Sequence, residues 1–304
     1  MIKWQGVFPA VTTKFTVNGA LDAQSCEQHF RWQIDSGVDG LIVAGSLGES
    51  STLTHEERLE LGRIAKAAAG GKKRVILTIA EGATSRAVDL ARRAEAQQLD
   101  GIMLLPPMMY RASAEETVSW FETVASNCGL PIMVYNNPVT YNIDVTTSML
   151  ERLCAHQNII AVKESSDDVR RVIRIRNALG ERLAIFAGVD NLALESCLVG
   201  ADGWVAGLVD AFPAETVAVW QLAKAGRIQD ALRIYRWFAP LLELDTSPQL
   251  VQNIKLAETI MGVGNEYVRP PRTPLRGEER TRVETVIRTA LQRRPSLAEL
   301  AIPV

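Results

Sequence analysis

The sequence predicts an α/β fold, a parallel (β/α)8 TIM barrel followed by a C-terminal helical extension. Three observations predict it: eight short apolar segments recur along residues 6–209, amphipathic stretches lie between them, and only helical patterns follow from about residue 213. The 304 residues, of which 47% are hydrophobic and 22% charged, suffice for a sizeable core. We therefore expect a barrel over residues 1–212 and a helical region over residues 213–304 packed on it.

Each apolar segment has the length and the β-branched content of a buried strand. Strands of a parallel sheet read as continuous apolar runs because helices cover both faces of the sheet. We expect strands within residues 6–11, 40–44, 75–79, 101–105, 131–135, 159–163, 183–187 and 204–209. Their regular alternation with helices is that of repeated βαβ units.

Helical patterns separate the strands and then continue alone. We expect helices over residues 54–69, 85–97, 114–127 and 169–179 in the barrel, and over 214–225, 228–242, 248–261 and 278–292 beyond it. A doubly wound sheet is the competing architecture. It would place a glycine-rich phosphate-binding turn after the first strand, and residues 9–13, Pro-Ala-Val-Thr-Thr, are not such a turn.

The charge balance argues against several classes of partner. The formal net charge is −2 and the longest basic block is residues 71–74, so we expect neither a nucleic acid nor a membrane as partner. No apolar run reaches the ~18 residues that cross a bilayer, and the first residues lack a signal-peptide pattern.

Four widely spaced cysteines read as reduced thiols, and three histidines make a histidine-built metal site unexpected. The interpretation is a cytoplasmic protein.

Lys163 ends the apolar segment of residues 159–163 and begins a polar loop. A lysine is normally a solvated charge with a pKa near ~10.4, but burial favours its neutral amine, which can attack a carbonyl carbon. The alternative is a surface lysine just past a strand end. The surroundings of Lys163 in the predicted barrel favour the interpretation that it is a nucleophile.

In a barrel of this kind the reactive groups lie at the C-terminal ends of the strands. The residues there are 45–50 after strand two, Tyr135 in strand five, Lys163 in strand six and 188–191 after strand seven. Together they predict a Schiff-base site, in which Lys163 forms the imine, Tyr135 moves a proton and the 45–50 turn holds a carboxylate on its N–H groups. Taken singly, Tyr135 is also consistent with a core aromatic and Asp190 with a helix cap.

Three motifs occur in a recognisable order: GSLGE at residues 45–49, YNNP at 135–138 and VKES at 162–165. Together they resemble the dihydrodipicolinate synthase / N-acetylneuraminate lyase family of class I Schiff-base enzymes, over about residues 4–300. The resemblance implies a (β/α)8 barrel with a helical C-terminal region, usually as a homotetramer. It also implies that Lys163 is the Schiff-base lysine, Tyr135 the proton-relay phenol, and Ser46 with the Leu47 backbone the site of a pyruvoyl carboxylate.

The sequence departs from the synthase pattern at several of its positions. Thr140 stands where the synthase has an arginine for the second substrate's carboxylate, and Met108 and Met109 stand where it has a tyrosine pair. Leu47 replaces the second hydroxyl residue of the glycine turn, and residues 207–210 lack the serine with which neuraminate lyases bind a polyhydroxy tail. We therefore expect an apolar pocket for a compact 2-oxo or cyclic 2-imino acid.

The expected reaction is deamination of 1-pyrroline-4-hydroxy-2-carboxylate, an intermediate of hydroxyproline catabolism, to 2-oxoglutarate semialdehyde and ammonia. Similarity of residues 135–142 to members of that pathway supports this expectation. Dehydration or aldol cleavage of a 2-keto-3-deoxy sugar acid stays open, as does a non-catalytic protein that binds 2-oxo acids. No cofactor and no metal are expected. Substrate contacts are expected from Ser46, Leu47, Thr140, Gly188, Asp190 and Gly207.

Overall fold

Eight parallel strands close into one barrel, which confirms the expected fold class. The computed structural model describes residues 3–300, with the backbone alone for residues 299 and 300. The strands are β1 (Gly6–Pro9), β2 (Gly40–Val43), β3 (Arg74–Ile79), β4 (Gly101–Leu104), β5 (Ile132–Asn136), β6 (Ile159–Glu164), β7 (Ala184–Ala187) and β8 (Gly203–Ala206). Residues 1–2 and 301–304 of the two expected regions lie outside the described residues.

The strand order makes the sheet a closed cylinder. Neighbouring strands follow the order β1-β8-β7-β6-β5-β4-β3-β2, and all pairs are parallel. A parallel bridge between Ala10 and Ile42 joins the two ends of this order. Beside it, the N–H of Val11 donates to the carbonyl of Ile42 at 3.0 Å. The C-terminal ends of all eight strands therefore surround one mouth.

Helices follow the strands as the sequence pattern predicts. They are α1 (Ala23–Asp35), α2 (His55–Ala69), α3 (Thr84–Ala96), α4 (Ala114–Ser126), α5 (Pro138–Tyr141), α6 (Thr147–Leu153), α7 (Arg170–Leu179), α8 (Ala193–Leu198), α9 (Pro213–Lys224), α10 (Ile228–Leu242), α11 (Leu250–Met261) and α12 (Gly277–Gln292). The eight helices expected from the sequence all form, with ends within two residues of those predicted. The shorter α5, α6 and α8, and also α1, were not among them.

Two of the barrel helices begin with the same capping arrangement. The side chains of Thr54 and Ser113 accept hydrogen bonds from the backbone N–H groups of Glu57 and Glu116. Each glutamate side chain in turn accepts from the backbone N–H of its capping residue, at 3.0 and 2.7 Å. This reciprocal capping box satisfies N–H groups that have no partner within the helix. It therefore fixes where α2 and α4 begin.

Alternate strand residues fill the inside of the barrel. The interior cluster is formed by Trp4, Phe8, Ala10, Ile42, Ile76, Met103, Leu105, Met133, Tyr135, Ala161, Ala184, Phe186 and Val205. The rings of Phe8 and Phe186 meet edge to face with centroids 5.3 Å apart. Because strand residues two apart face the same way, Tyr135 follows Met133, and Lys163 follows Ala161, towards the mouth.

The helices beyond β8 pack on the barrel rather than apart from it. Helix α9 follows β8 and contacts β1, which is the position of the eighth barrel helix, while α10 packs on α9 and on α12. The boundary expected at residue 213 falls between β8 and α9, although α9 packs on the barrel strands. The division into two regions stays a prediction. In residues 3–300, no helix combines the length and the apolar character that a membrane crossing requires. All four cysteines are free thiols.

A buried ion pair joins the C-terminal helices to the turn after β2. Nζ of Lys255, on α11, donates to Oε1 of Glu49 at 2.6 Å, and both side chains are fully buried. The other carboxylate oxygen of Glu49 accepts from the N–H of Arg269 at 3.0 Å. Glu49 itself has a left-handed backbone (φ 58°, ψ 38°). The strained turn is therefore stabilised by groups more than 200 residues away in the chain.

We expect Lys255→Met to destabilise the fold by about 3–5 kcal/mol, because it leaves the Glu49 carboxylate buried without its cation. The measurement is urea unfolding, with Lys72→Met at an exposed lysine as the matched control. The double variant Lys255→Met/Glu49→Gln should regain part of the loss, since it buries no unpaired charge. An unfolding midpoint of Lys255→Met equal to that of the wild type would contradict the importance of this pair.

Candidate active site

Lys163 and Tyr135 lie side by side at the mouth of the barrel. They are paired in register on β6 and β5, and Nζ of Lys163 lies 4.4 Å from the centroid of the Tyr135 ring. Both residues are buried, with 7% and 6% of their surface exposed. The structure thus brings together an amine and a phenol, which are the two groups that Schiff-base chemistry with proton transfer requires.

The surroundings of Lys163 favour its neutral amine. Burial lowers the pKa of Lys163 from its ordinary value, and the charge of Asp245 is the largest opposing influence. Within residues 3–300 the amine forms no ion pair, and its nearest described partner is the Tyr135 ring. An uncharged amine is the nucleophilic form of lysine, so these surroundings suit attack on a carbonyl or imine carbon.

The Tyr135 phenol keeps its proton at neutral pH. Burial raises the pKa of Tyr135, while a hydrogen bond from the side-chain amide of Asn137 at 3.1 Å partly opposes the rise. Tyr141 stands edge-on to Tyr135, with ring centroids 5.9 Å apart. Burial, with the neighbouring Tyr135 phenol, raises the pKa of Tyr141 to about 12. Both phenols are therefore available as proton donors at the mouth.

The turn after β2 offers backbone donors to an anion. The N–H groups of Ser46, Leu47 and Gly48 have no acceptor within the described residues. The Leu47 side chain is buried in the core between barrel and helices, so only its backbone is available to a ligand. Oγ of Ser46 and the phenol oxygen of Tyr141 form a 2.5 Å hydrogen bond. Successive free N–H groups in a turn are suited to a carboxylate.

Gly188 makes room for the lysine. A Cβ atom at Gly188 would lie 2.8 Å from Cε of Lys163 and would overlap Oγ of Ser165. Because Gly188 hydrogen-bonds through its N–H to the carbonyl of Glu164, its backbone cannot easily move aside. Gly188, expected from the sequence to contact the substrate, thus has an additional steric function.

The Asp190 carboxylate is occupied by hydrogen bonds from the end of β8. It accepts from Nε1 of Trp204 at 2.9 Å, from the N–H of Leu208 at 2.8 Å and from the N–H of Gly207 at 3.1 Å. It caps neither α8 nor the short 3-10 turn that it begins. Asp190 therefore holds the loop that carries Gly207 against the end of β7, and a direct contact with substrate stays a proposal.

Three residues from the sequence analysis lie at the rim. Thr140 is exposed on α5, where its N–H is bonded to the side chain of Asn137 at 2.9 Å. Met108 is partly buried against the interior cluster that contains Tyr135. Met109 is 76% exposed, so the expectation that it lines the pocket is not met in the single chain. Of the residues expected to make the pocket apolar, Met108 is therefore the one that is placed to do so.

Three residues of the mouth were not among the expected catalytic and substrate-binding residues. Tyr141 bonds to Ser46, and the buried hydroxyl of Ser165 interacts with the Tyr135 phenol, whose pKa it lowers. The carboxyl group of Asp245 lies close enough to influence the pKa values of both Lys163 and Tyr135. Ser165 belongs to the VKES motif and follows Lys163 by two residues, so the alternation of strand side chains places it on the same face. No local pattern marks Asp245, which lies in a 3-10 turn (Glu243–Thr246) beyond α10.

A separate cluster of buried charges lies beneath the turn after β1. His29, Asp210 and Glu258 present ligand atoms close enough to hold a metal ion. Nζ of Lys14 lies 2.6 Å from Glu258, however, and already supplies a cation to the cluster. Burial lowers the pKa of His29 to about 3 and raises that of Asp210 to about 8. The cluster thus balances its charge with residues of the chain.

A (β/α)8 barrel with a buried lysine beside a phenol at its mouth defines the class of Schiff-base-forming lyases. The sequence matches the model of the dihydrodipicolinate synthetase family over residues 3–290, and the chain belongs to that family. The family resemblance seen in the three motifs is thereby confirmed.

Individual relatives agree in length and fold. The 4-hydroxy-tetrahydrodipicolinate synthase of Moorella thermoacetica is 32% identical over 289 residues, which cover 94% of this chain and 98% of that relative. The structure of dihydrodipicolinate synthase from Bacillus anthracis matches with a TM-score of 0.91 at 28% identity, over 95% of this chain and 99% of that chain. YagE, a prophage protein of E. coli K12 solved with pyruvate, matches with a TM-score of 0.89 at 25% identity, over 95% and 99% of the two chains.

We expect Gly188→Ala to prevent formation of a covalent adduct with pyruvate, because the added methyl group displaces Lys163 and Ser165. Gly82→Ala is the matched control, since its methyl group would meet only the exposed side chains of Met109 and Arg86. Mass spectrometry after borohydride reduction measures the adduct, and circular dichroism checks that the barrel has formed. An adduct yield equal to that of the control would show that Lys163 does not need this space.

Proposed function

We propose that the protein is a Schiff-base deaminase that converts 1-pyrroline-4-hydroxy-2-carboxylate into 2-oxoglutarate semialdehyde and ammonia. The observation that carries the proposal is the buried, unpaired amine of Lys163 against the ring of Tyr135. Family membership supports Schiff-base lyase chemistry, whereas the choice of substrate rests on the mouth itself. In this proposal the protein acts in the cytoplasm as a homotetramer or dimer.

The first part of the reaction uses the lysine and the turn after β2. The substrate carboxylate binds the free N–H groups at Ser46 and Leu47, which places C2 near Nζ of Lys163. The amine adds to C2 of the ring imine and expels the ring nitrogen, which gives an open-chain iminium on Lys163. Burial of Lys163 assists this step because it favours the uncharged amine, which is the form that attacks C2.

The second part is elimination and hydrolysis. The iminium acidifies the C3–H bond, and Tyr135 or a water molecule that it positions removes that proton. The C4 hydroxyl group then leaves as water, the remaining conjugated iminium tautomerises to a terminal imine, and water releases ammonia and the aldehyde. Hydrolysis of the Lys163 linkage frees the product and restores the amine.

The rim supports a small substrate with one carboxylate. Thr140 brings no charge to the place where the synthase pattern has an arginine, and Met108 packs on the interior cluster near Tyr135. One guanidinium does approach the mouth, because Arg272 acts on the Tyr141 phenol. Its Nη1 atom lies 3.9 Å from the Glu49 carboxylate, which already has Lys255 as its cation.

A dehydratase of 2-keto-3-deoxy sugar acids is the second candidate. The hydroxyl groups of Ser46, Tyr141 and Ser165 at the mouth favour it, because each can bond to a hydroxyl of a sugar acid. Its C2 carbonyl would lose water when Lys163 forms the iminium, and the following loss of the C3 proton and of the C4 hydroxyl group would be the same for both substrates. The two candidates differ in whether ammonia is released.

Replacement of Lys163 tests the nucleophile. We expect Lys163→Arg to form no adduct with pyruvate and to have no measurable turnover, because arginine stays protonated and cannot form an imine. The wild type should gain one pyruvate-derived adduct after borohydride reduction, on the peptide that contains Lys163. Lys73→Arg serves as the control variant. An adduct on another lysine would reassign the nucleophile, and its absence from wild type would favour a non-catalytic binder.

Product analysis tests the substrate. With 1-pyrroline-4-hydroxy-2-carboxylate, we expect ammonia and an aldehyde to appear in equal amounts. Pyruvate with aspartate semialdehyde should condense slowly, since a charge-assisted bond to a second carboxylate is worth about 1.5–3 kcal/mol and Thr140 cannot supply it. Efficient condensation would contradict the proposal and assign the second carboxylate to Arg272. Faster dehydration of a 2-keto-3-deoxy acid would select the second candidate.

A further inference from the structure

Asp245 reaches the mouth from outside the eight strands. It lies in the 3-10 turn Glu243–Thr246, which follows α10. Its carboxyl group rests on the end of β8, because a Cβ atom at Gly207 would lie 2.8 Å from its Cγ and would overlap Oδ1. Gly207 therefore makes room for Asp245 in the way that Gly188 makes room for Lys163.

The oxygens of Asp245 are free. Within residues 3–300 its carboxyl group accepts no hydrogen bond and forms no ion pair, although it influences the pKa values of Lys163 and Tyr135. Asp190, the other carboxyl group that acts on Lys163, is bonded to Trp204 and to the backbone of β8 and its loop. Of these two acids, Asp245 is the one that can exchange a proton with a ligand.

The surroundings of Asp245 keep its proton in place. Burial raises the pKa of Asp245 well above its usual range, the neighbouring Asp190 and Asp210 add to the rise, and Lys163 opposes it. An iminium on Lys163 would be a fixed positive charge at the same place. Such a charge favours the carboxylate form, so formation of the iminium itself promotes release of the Asp245 proton.

On the basis of the proposed function, we propose that Asp245 is the acid that protonates the hydroxyl group leaving from C4. With C2 bonded to Lys163 and the carboxylate at the Ser46 turn, the substrate chain from C3 onwards extends from Lys163 towards the end of β8, where the Asp245 carboxyl group contacts Gly207. The hydroxyl group on C4 then lies on the side of the mouth that Asp245 covers.

The step balances within the chain and the bound intermediate. Loss of a proton from C3 gives an enamine on Lys163. The enamine electrons form the C3=C4 bond, which restores the iminium on Lys163. The C4–O bond breaks and its electron pair stays on oxygen. Asp245 donates a proton to that oxygen, so the group leaves as water. The Asp245 carboxylate regains a proton when C5–H is lost in the following tautomerisation.

The test compares Asp245→Asn with Glu243→Gln, an exposed acid on the same turn. Asp245→Asn should lower kcat for the hydroxy-pyrroline acid by about 10²–10⁴-fold, the usual effect of an acid–base group. Trapping of pyruvate by borohydride and deuterium exchange into the pyruvate methyl group should stay unchanged, since both need only Lys163 and enamine formation. Glu243→Gln should match the wild type throughout.

A substrate with a better leaving group separates proton donation from positioning. In 4-fluoro-1-pyrroline-2-carboxylate, fluoride leaves without a proton, so Asp245→Asn should lower fluoride release less than about tenfold. Undiminished kcat on the hydroxy acid overturns the proposal. An equal loss with the fluoro compound, or a parallel loss of pyruvate trapping, also overturns it, because Asp245 would then position the substrate or act on Lys163.

The same measurements separate this inference from the proposed function. If the wild type dehydrates a 2-keto-3-deoxy acid and does not deaminate the pyrroline acid, the proposed substrate fails. The role of Asp245 is then tested with the keto-deoxy acid, whose C4 hydroxyl group leaves in the same way. A lower kcat for its dehydration by Asp245→Asn, with pyruvate trapping retained, would support that role. If the wild type eliminates water from neither acid, both the proposed function and the role of Asp245 are overturned.

Discussion

The burial of the Lys163 amine is the constraint on which the rest of the mouth depends. A lysine in water is protonated and unreactive towards imines, so the barrel must remove water from it without giving it a counter-ion. The aromatic pair Phe8 and Phe186 fills the barrel interior, and Tyr135 covers one side of the amine. The nearby carboxylate of Asp190 is bonded to Trp204 and to backbone N–H groups, which limits its attraction for a lysine proton.

The mouth is assembled from segments that are far apart in the chain. The turn at Ser46 keeps its shape because Glu49 is bonded to Lys255 and to the backbone of Arg269, both in the C-terminal part. Asp245 comes from that part as well. In the proposed site the strands thus position the nucleophile, whereas the helical region shapes the turn proposed to bind the carboxylate and adds the proposed acid. Residues on both sides of the boundary expected at residue 213 therefore belong to the proposed site.

Patterns within the chain predicted the barrel and its two central residues, because strand period and burial are local properties. Lys163 and Tyr135 could be placed at strand ends for the same reason. Other details depend on contacts that no local pattern carries. Leu47 turns its side chain to the core, Met109 points to the surface, and Asp245 meets Gly207 only after α10 has packed.

The cluster around Lys14 has a consequence for how the protein tolerates its surroundings. A site with the ligands of His29, Asp210 and Glu258 would, with a bound ion, gain stability that falls as the free ion is diluted or chelated. Here the positive charge is covalently attached to the chain, 2.6 Å from Glu258, so it cannot dissociate. The positive charge at this junction of β1, α1 and α11 is therefore part of the chain, and its amount does not vary with the composition of the surrounding solution.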